Sequence, residues 1–569
     1  MHQARVLSKP VTRPLVTTEP ITSTAQLRPS CSAIIAAVQD GTHIIETRPG
    51  RVRVPRAGGW TVVVLVIVAA AVATAGLVTA ATAGSAGGTA SGVRTRLPSP
   101  VTTILTGSPA TVSARAAQLL LTFAPALVVT AASASSTQVS TAAAIARRAD
   151  MPLLLAPGTG PGAAGQAAAL DAAVRALRPR DVLAVGITAG ALSADLPGVR
   201  IVTSAAALPG GGLAAAGRGA TPLRHVAVLV RQRRSEAGFA LAAATSVTAR
   251  VAGARVISLP GYDPGTDPAA IRQLAAARPL RVVGIGTGFG SARLLAARVA
   301  VAETGVQLPG GGQVLFPMRR IVALYGTPGT PALGALGQQG LTASIARAKK
   351  VAAQYTSLTG VPVIPAFEII ATVAQASPGK NGLYSYETSV STLRPWVRAA
   401  TRAGMYVTLD LQPGRASLLT QAKRYKSLLR LPNVGLALDP EWKLGPGQLP
   451  LRQIGSVGIA QVNSVVTWLA RLTSRYRLPQ KLLELHEFRL TMITGIQRLD
   501  TRHRDLAIVI NMDGQGAPLT KDQTWQSVVA NAPRHVFFGW KDFYVKDTPM
   551  MGPRETLRHK PRPVLISYQ

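Results

Sequence analysis

The residues with chemistry to offer gather after position 360, where short apolar runs end in acids. Glu368 closes Val361-Pro-Val-Ile-Pro-Ala-Phe-Glu368, Asp410 closes Met405-Tyr-Val-Thr-Leu-Asp410, and Val434-Gly-Leu-Ala-Leu-Asp-Pro-Glu441 ends in both Asp439 and Glu441. Lys481-Leu-Leu-Glu-Leu-His486 ends in an imidazole, and Ala507-Ile-Val-Ile-Asn-Met-Asp513 in a further acid. Carboxyl groups held in one cleft divide acid and base roles, because each raises the pKa of the other. Side chains two apart on a strand point the same way, so Asp439 and Glu441 are the leading acid and base or nucleophile. Glycoside hydrolysis is the reaction that suits this set best. Trp442 and Trp540, each beside a polar residue, are placed to stack on sugar rings, and Gln412, Arg415, Lys541 and Tyr568 complete the candidate substrate contacts. The competing reading is structural: an Asp at a strand end often caps the next helix, and these acids have Arg415, Lys443 and Lys541 as potential ion-pair partners.

Other chemistries fit less well. His486-Glu487-Phe-Arg-Leu490 begins like a zinc-protease helix but carries Leu490 where the second His must stand. Asp439, His486 and Asp513 could meet around a metal, although hydrogen bonding among rim residues is the simpler expectation. Gly284-Ile-Gly-Thr-Gly-Phe-Gly290 follows a strand as a dinucleotide loop would, yet its spacing is off and Phe289 occupies a position that wants glycine. The reading therefore calls for no cofactor and no metal.

These candidate residues need a scaffold that brings strand ends together. Two further runs, Val536-Phe-Phe-Gly-Trp-Lys541 and Val564-Leu-Ile-Ser-Tyr568, bring the count to seven strands. Helical stretches such as 391–402, 416–429 and 459–476 lie between them. Strands alternating with helices, and polar residues at the strands' C-terminal ends, predict a (β/α) barrel over 360–569 with its site at that rim. An eighth strand is not identified, and 341–358 is available to cover the gap left by a missing last helix.

Residues 100–345 read differently, as a parallel-sheet α/β region. Apolar runs at 126–130, 151–156 and 181–186 are separated by Ala-rich helices, and the cycle recurs at 225–230, 254–258 and 280–286. The ordered blocks Ala126–Thr130, Ala142–Ala149, Met151–Pro157 and Leu177–Gly186 resemble the cell wall-binding repeat 2 family of Gram-positive surface proteins. The resemblance implies non-covalent binding of an anionic wall polymer. Arg115, Arg147, Arg148, Arg175, Arg178 and Arg180 suit such a ligand. After residue 360, the blocks Leu409-Asp-Leu-Gln-Pro-Gly-Arg415, Gly435-Leu-Ala-Leu-Asp-Pro-Glu-Trp442, Leu444-Gly-Pro-Gly-Gln448 and Leu478-Pro-Gln-Lys-Leu-Leu483 resemble uncharacterised secreted proteins of high-GC Gram-positive bacteria. That likeness implies an exported barrel and names no reaction.

Bulk properties agree with a surface role. The chain has 569 residues and a formal charge of +36. Such a charge favours an anionic polymer or surface as neighbour. Residues 57–93 carry no charge, their apolar stretch follows Arg51, Arg53 and Arg56, and the next cation is Arg94. This predicts a transmembrane signal anchor or signal peptide over 57–83, with the remainder outside the cytoplasm. Residues 1–56 read as a disordered cytoplasmic tail. The single Cys31 precedes the apolar stretch, so the exported part has no disulfides. The expected molecule is a membrane-anchored or secreted, wall-associated α/β protein. It binds an anionic polymer or peptidoglycan glycan, contacts the cytoplasmic membrane through 57–83, and does not bind nucleic acid. Its barrel is either a glycan hydrolase or a non-catalytic, lectin-like surface.

Overall fold

The computed structural model describes residues 92–158, 160–207, 221–232 and 235–569. The tail 1–56, Cys31 and the apolar segment 57–83 lie outside the described residues. Among the described residues, no helix is long and apolar enough to cross a membrane.

Eight parallel strands close into a barrel: β1 Arg320–Gly326, β2 Val363–Ala374, β3 Tyr406–Leu411, β4 Val434–Leu438, β5 Lys481–Glu487, β6 Leu506–Met512, β7 Phe537–Asp542 and β8 Leu565–Tyr568. Neighbours in sequence pair around the ring, and β1 closes it by pairing with both β2 and β8. The boundary expected near 345–360 is therefore corrected. The missing eighth strand is β1, and 341–358 contains the ordinary helix between β1 and β2, Leu341–Thr356, instead of covering a gap. Leu308, Leu315 and Phe316, still earlier in the chain, join the apolar layer that seals the barrel's lower end.

Alternation along each strand divides the barrel into two environments. Outward residues such as Leu409, Leu436, Leu485, Ile510 and Trp540 pack beneath the helices in one large core. Inward residues change character with height. Ile321, Ile364, Tyr406, Leu482, Val509 and Leu565 fill the floor, whereas Tyr325, Glu368, Asp410, His486, Asn511, Lys541 and Ser567 follow them along the same faces toward the C-terminal ends. Close packing at the floor requires Gly435, since a Cβ there would stand 2.8 Å from the Leu482 carbonyl and 3.1 Å from the Tyr406 ring.

The region before the barrel contains two four-stranded parallel sheets. The first has the order Leu153–Ala156, Ala126–Ala131, Asp181–Ala184, Arg200–Val202. The second has the order Thr102–Leu105, Arg281–Ile285, Val226–Arg231, Arg255–Leu259. The two share one winding, except that the second sheet takes its remaining edge strand from the chain ahead of the first. Buried side chains satisfy the strand-free edge of the first sheet, which is itself buried. Thr248 Oγ1 bonds both the N–H and the C=O of Leu153 at 3.2 and 3.1 Å, and Ser113 Oγ accepts from the Leu155 N–H at 3.0 Å. The glycine-rich loop after Ile285 is a seat for an aromatic ring. A Cβ on Gly288 would fall 2.2 Å from the ring of Tyr262, which packs edge-on to Phe289.

Candidate active site at the barrel mouth

His486 is the hub of the barrel mouth. Alternation on β5 turns Glu484 and His486 inward together, and both are fully buried. Nδ1 of the ring lies 2.9 Å from Asp513 Oδ2 and 3.4 Å from Asp439 Oδ1. Nε2 lies 2.9 Å from Glu368 Oε1 and 3.3 Å from Glu484 Oε1. Carboxyl groups from four strands or their ends thus surround one imidazole. Burial disfavours its charge, but Asp439 and Asp513 outweigh burial and hold the ring protonated well above the ordinary histidine range.

A second set of contacts joins β1 to the far side of this cluster. Tyr325 Oη donates to Asp410 Oδ2 at 2.9 Å and also lies 3.3 Å from Asp439 Oδ2, which accepts from Gln412 Nε2 at 3.2 Å. The Lys541 ammonium sits 3.4 Å from the centre of the Tyr325 ring. Burial lowers the affinity of Lys541 for its proton, and the surrounding acids, Asp513 first, more than restore it. Burial, then Asp439, pushes Asp410 well above the usual carboxylate range. Burial, then Glu368, pushes Glu484 up to about 7.

Asp439 and Glu441 reach the site by a different local route from the one expected. Strand β4 ends at Leu438, because Pro440 has no N–H with which to continue a ladder, and Pro440–Trp442 forms a single 3₁₀ turn. Asp439 is 1 % exposed, and Glu441, in the turn, is half-buried. Glu441 Oε2 has no hydrogen-bond partner among the described residues. Burial, then the charges of Asp439 and Asp513, raises the Glu441 carboxyl well above its ordinary value. The turn therefore sets a carboxyl of raised pKa next to Asp439, whose Oδ2 is within hydrogen-bond reach of Tyr325 and Gln412.

The remaining candidates divide between the mouth and other places. Gln412 and Lys541 belong to the cluster. Trp442 is half-buried in the Glu441 turn. Arg415 lies over the Tyr384 ring at 4.5 Å and donates to the Gln448 carbonyl at 3.0 Å, tying rim loops together. Trp540 and Tyr568 are corrections, since both point outward. Trp540 is fully buried 4.0 Å from the ring of His559 and donates its indole N–H to Asp542 at 2.7 Å. Tyr568 hydrogen-bonds Tyr355 at 2.6 Å behind the barrel wall. The alternation that turns Lys541 and Ser567 inward turns these two aromatics out. Sequence reasoning missed Tyr325, whose strand was not recognised, and Glu484 and Asn511, although each stands two residues before a residue that was named. The Asn511 amide donates to Glu484 Oε1 at 2.6 Å.

The six arginines assigned to polymer binding are all exposed. Arg147 and Arg148 end the helix Ser136–Arg148, and Arg175 is in the last turn of Ala163–Leu177, followed by Arg178 and Arg180. These helices run back from the strands, so the five cations collect at the N-terminal edge of the first sheet. Arg115 lies on the separate helix Pro109–Leu120. Arg175 is ion-paired with Asp171.

No family model, curated protein or solved structure matches the chain.

Proposed function

We propose that the protein is a cell-envelope glycan hydrolase whose barrel acts on wall polysaccharide while the sheets before it bind an anionic wall polymer. The observation that carries the reading is the Asp439–Glu441 turn. A half-buried, protonated Glu441 is suited to donate a proton to a leaving glycosidic oxygen, and the carboxylate of Asp439, oriented by Tyr325 and Gln412, is suited to act as base or nucleophile. Trp442, in the same turn, supplies an apolar face for a sugar ring. The exposed arginines at the edge of the first sheet support polymer binding, as does the resemblance to wall-binding repeats. The uncharged stretch at 57–83, behind three arginines, supports a place at the membrane or beyond it.

Incubating the purified protein with isolated cell walls, then assaying pellet and supernatant, tests both parts. The expected result is sedimentation with the walls together with release of soluble reducing sugar. Sedimentation without release, across several wall preparations, would replace the enzyme by a lectin-like binder. Failure to sediment would remove the wall-binding role.

A further inference from the structure

The Nε2 side of His486 faces an arrangement that acid–base chemistry at Asp439 and Glu441 does not use. Glu368 and Glu484 stand there, Asp410 groups with Glu368 and His486, and all three acids are fully buried. Each has one carboxylate oxygen engaged. Glu368 Oε1 meets Nε2 at 2.9 Å, Asp410 Oδ2 accepts from Tyr325, and Glu484 Oε1 accepts from Asn511. The other oxygen of each, Glu368 Oε2, Asp410 Oδ1 and Glu484 Oε2, has no hydrogen-bond partner among the described residues. A buried carboxyl oxygen facing no donor is costly, and three such oxygens in one cluster leave room for positive charge beyond that of Lys541, whose ammonium faces the Tyr325 ring.

We propose that this pocket binds one divalent transition cation through His486 Nε2 and the carboxylates of Glu368 and Asp410, with Glu484 beside them. One donor atom each from Glu368, Asp410 and His486 already lies within 4.8 Å of the others. An ion with ligands at about 2.1 Å sets neighbouring donors roughly 3.0 Å apart in an octahedron and roughly 3.4 Å apart in a tetrahedron. The separation of 2.9 Å from Nε2 to Glu368 Oε1 has the octahedral length. The outer contacts are also those of a metal site. A metal-binding histidine ordinarily gives its other ring N–H to a carboxylate, as Nδ1 does to Asp513 at 2.9 Å, and ligating carboxylates are themselves hydrogen-bonded, as by Tyr325 and Asn511. Carboxylates together with an imidazole suit Mn²⁺ or Zn²⁺ better than Mg²⁺ or Ca²⁺, which prefer oxygen alone. The ion would fix Glu368 and Asp410, with Asp439 and Glu441 outside its donor set. The inference goes beyond the glycan reading and stands without it, since it needs no substrate.

The test is the metal content of the purified full-length chain, prepared without chelator and read by plasma mass spectrometry, together with its melting temperature. About one equivalent of Mn²⁺ or Zn²⁺ is expected. Removal of the ion by EDTA should lower Tm, and adding Mn²⁺ or Zn²⁺ at a hundredfold excess over Kd should raise it again by roughly 5–10 °C. Glu368→Gln and Asp410→Asn should abolish the Tm response, and Asp439→Asn, outside the donor set, should retain it. Should the first two variants fail to fold, the wild-type measurement alone decides. Metal-free protein whose Tm is indifferent to both ions would overturn the proposal.

Discussion

Glu441 and Asp439 can be separated from the rest of the mouth by what their loss does. Glu441→Gln keeps the shape of the turn but removes the transferable proton. It should reduce sugar release by about 10²–10⁴-fold while the protein still sediments with walls. Asp439→Asn should do the same, because its carboxylate is one of the two reacting groups; unchanged release in either variant would remove that residue from the mechanism. The pH profile carries a second signature. Activity requires protonated Glu441, so it should fall as pH rises through that group's raised pKa. The negative charge of Asp513 helps to raise this pKa. Asp513→Asn should therefore bring the alkaline limb to lower pH. An unmoved limb in an active variant would show that some other group controls it.

At the scale of strands and turns, the floor and the rim place different demands on sequence. Gly435→Ala should cost about 1–3 kcal/mol, read as a lower urea midpoint, because the new methyl meets the Leu482 carbonyl and the Tyr406 ring. Seven of the eight barrel strands were legible as apolar runs, and the acids at their ends marked the site, because parallel strands buried on both faces are continuously hydrophobic. The strand Arg320–Gly326 escaped because it follows the Ala- and Gly-rich composition of the preceding region and ends in Tyr325 and glycine, with no acid to mark it. Trp540 and Tyr568 were misplaced for a related reason. A rim position can be read from a run of residues, but its facing depends on register, and a shift of one residue reverses it. The geometry around Asp439 was missed because Pro440 ends the strand there and a 3₁₀ turn brings Glu441 to the mouth.

For the molecule as a whole, the position of β1 redraws where the barrel begins. A fragment from residue 305 should fold cooperatively, whereas one from 360 lacks a wall strand and the Leu308, Leu315 and Phe316 floor. It should show no cooperative melt by circular dichroism; a sharp transition in that fragment would mean that seven strands suffice. The second sheet has the same property on a longer span, since its edge strand Thr102–Leu105 pairs with Arg281–Ile285. The contact from Arg281 to the Pro98 carbonyl joins positions 183 residues apart. A ribosome adding 5–20 residues per second needs roughly 10–40 s to supply that partner. Throughout that interval the early strand has an unsatisfied edge, while the first sheet, whose four strands are contiguous in sequence, can already be complete. The order of synthesis therefore gives the two halves different exposures to aggregation, and any factor that holds the nascent chain has most to gain by covering residues 102–105.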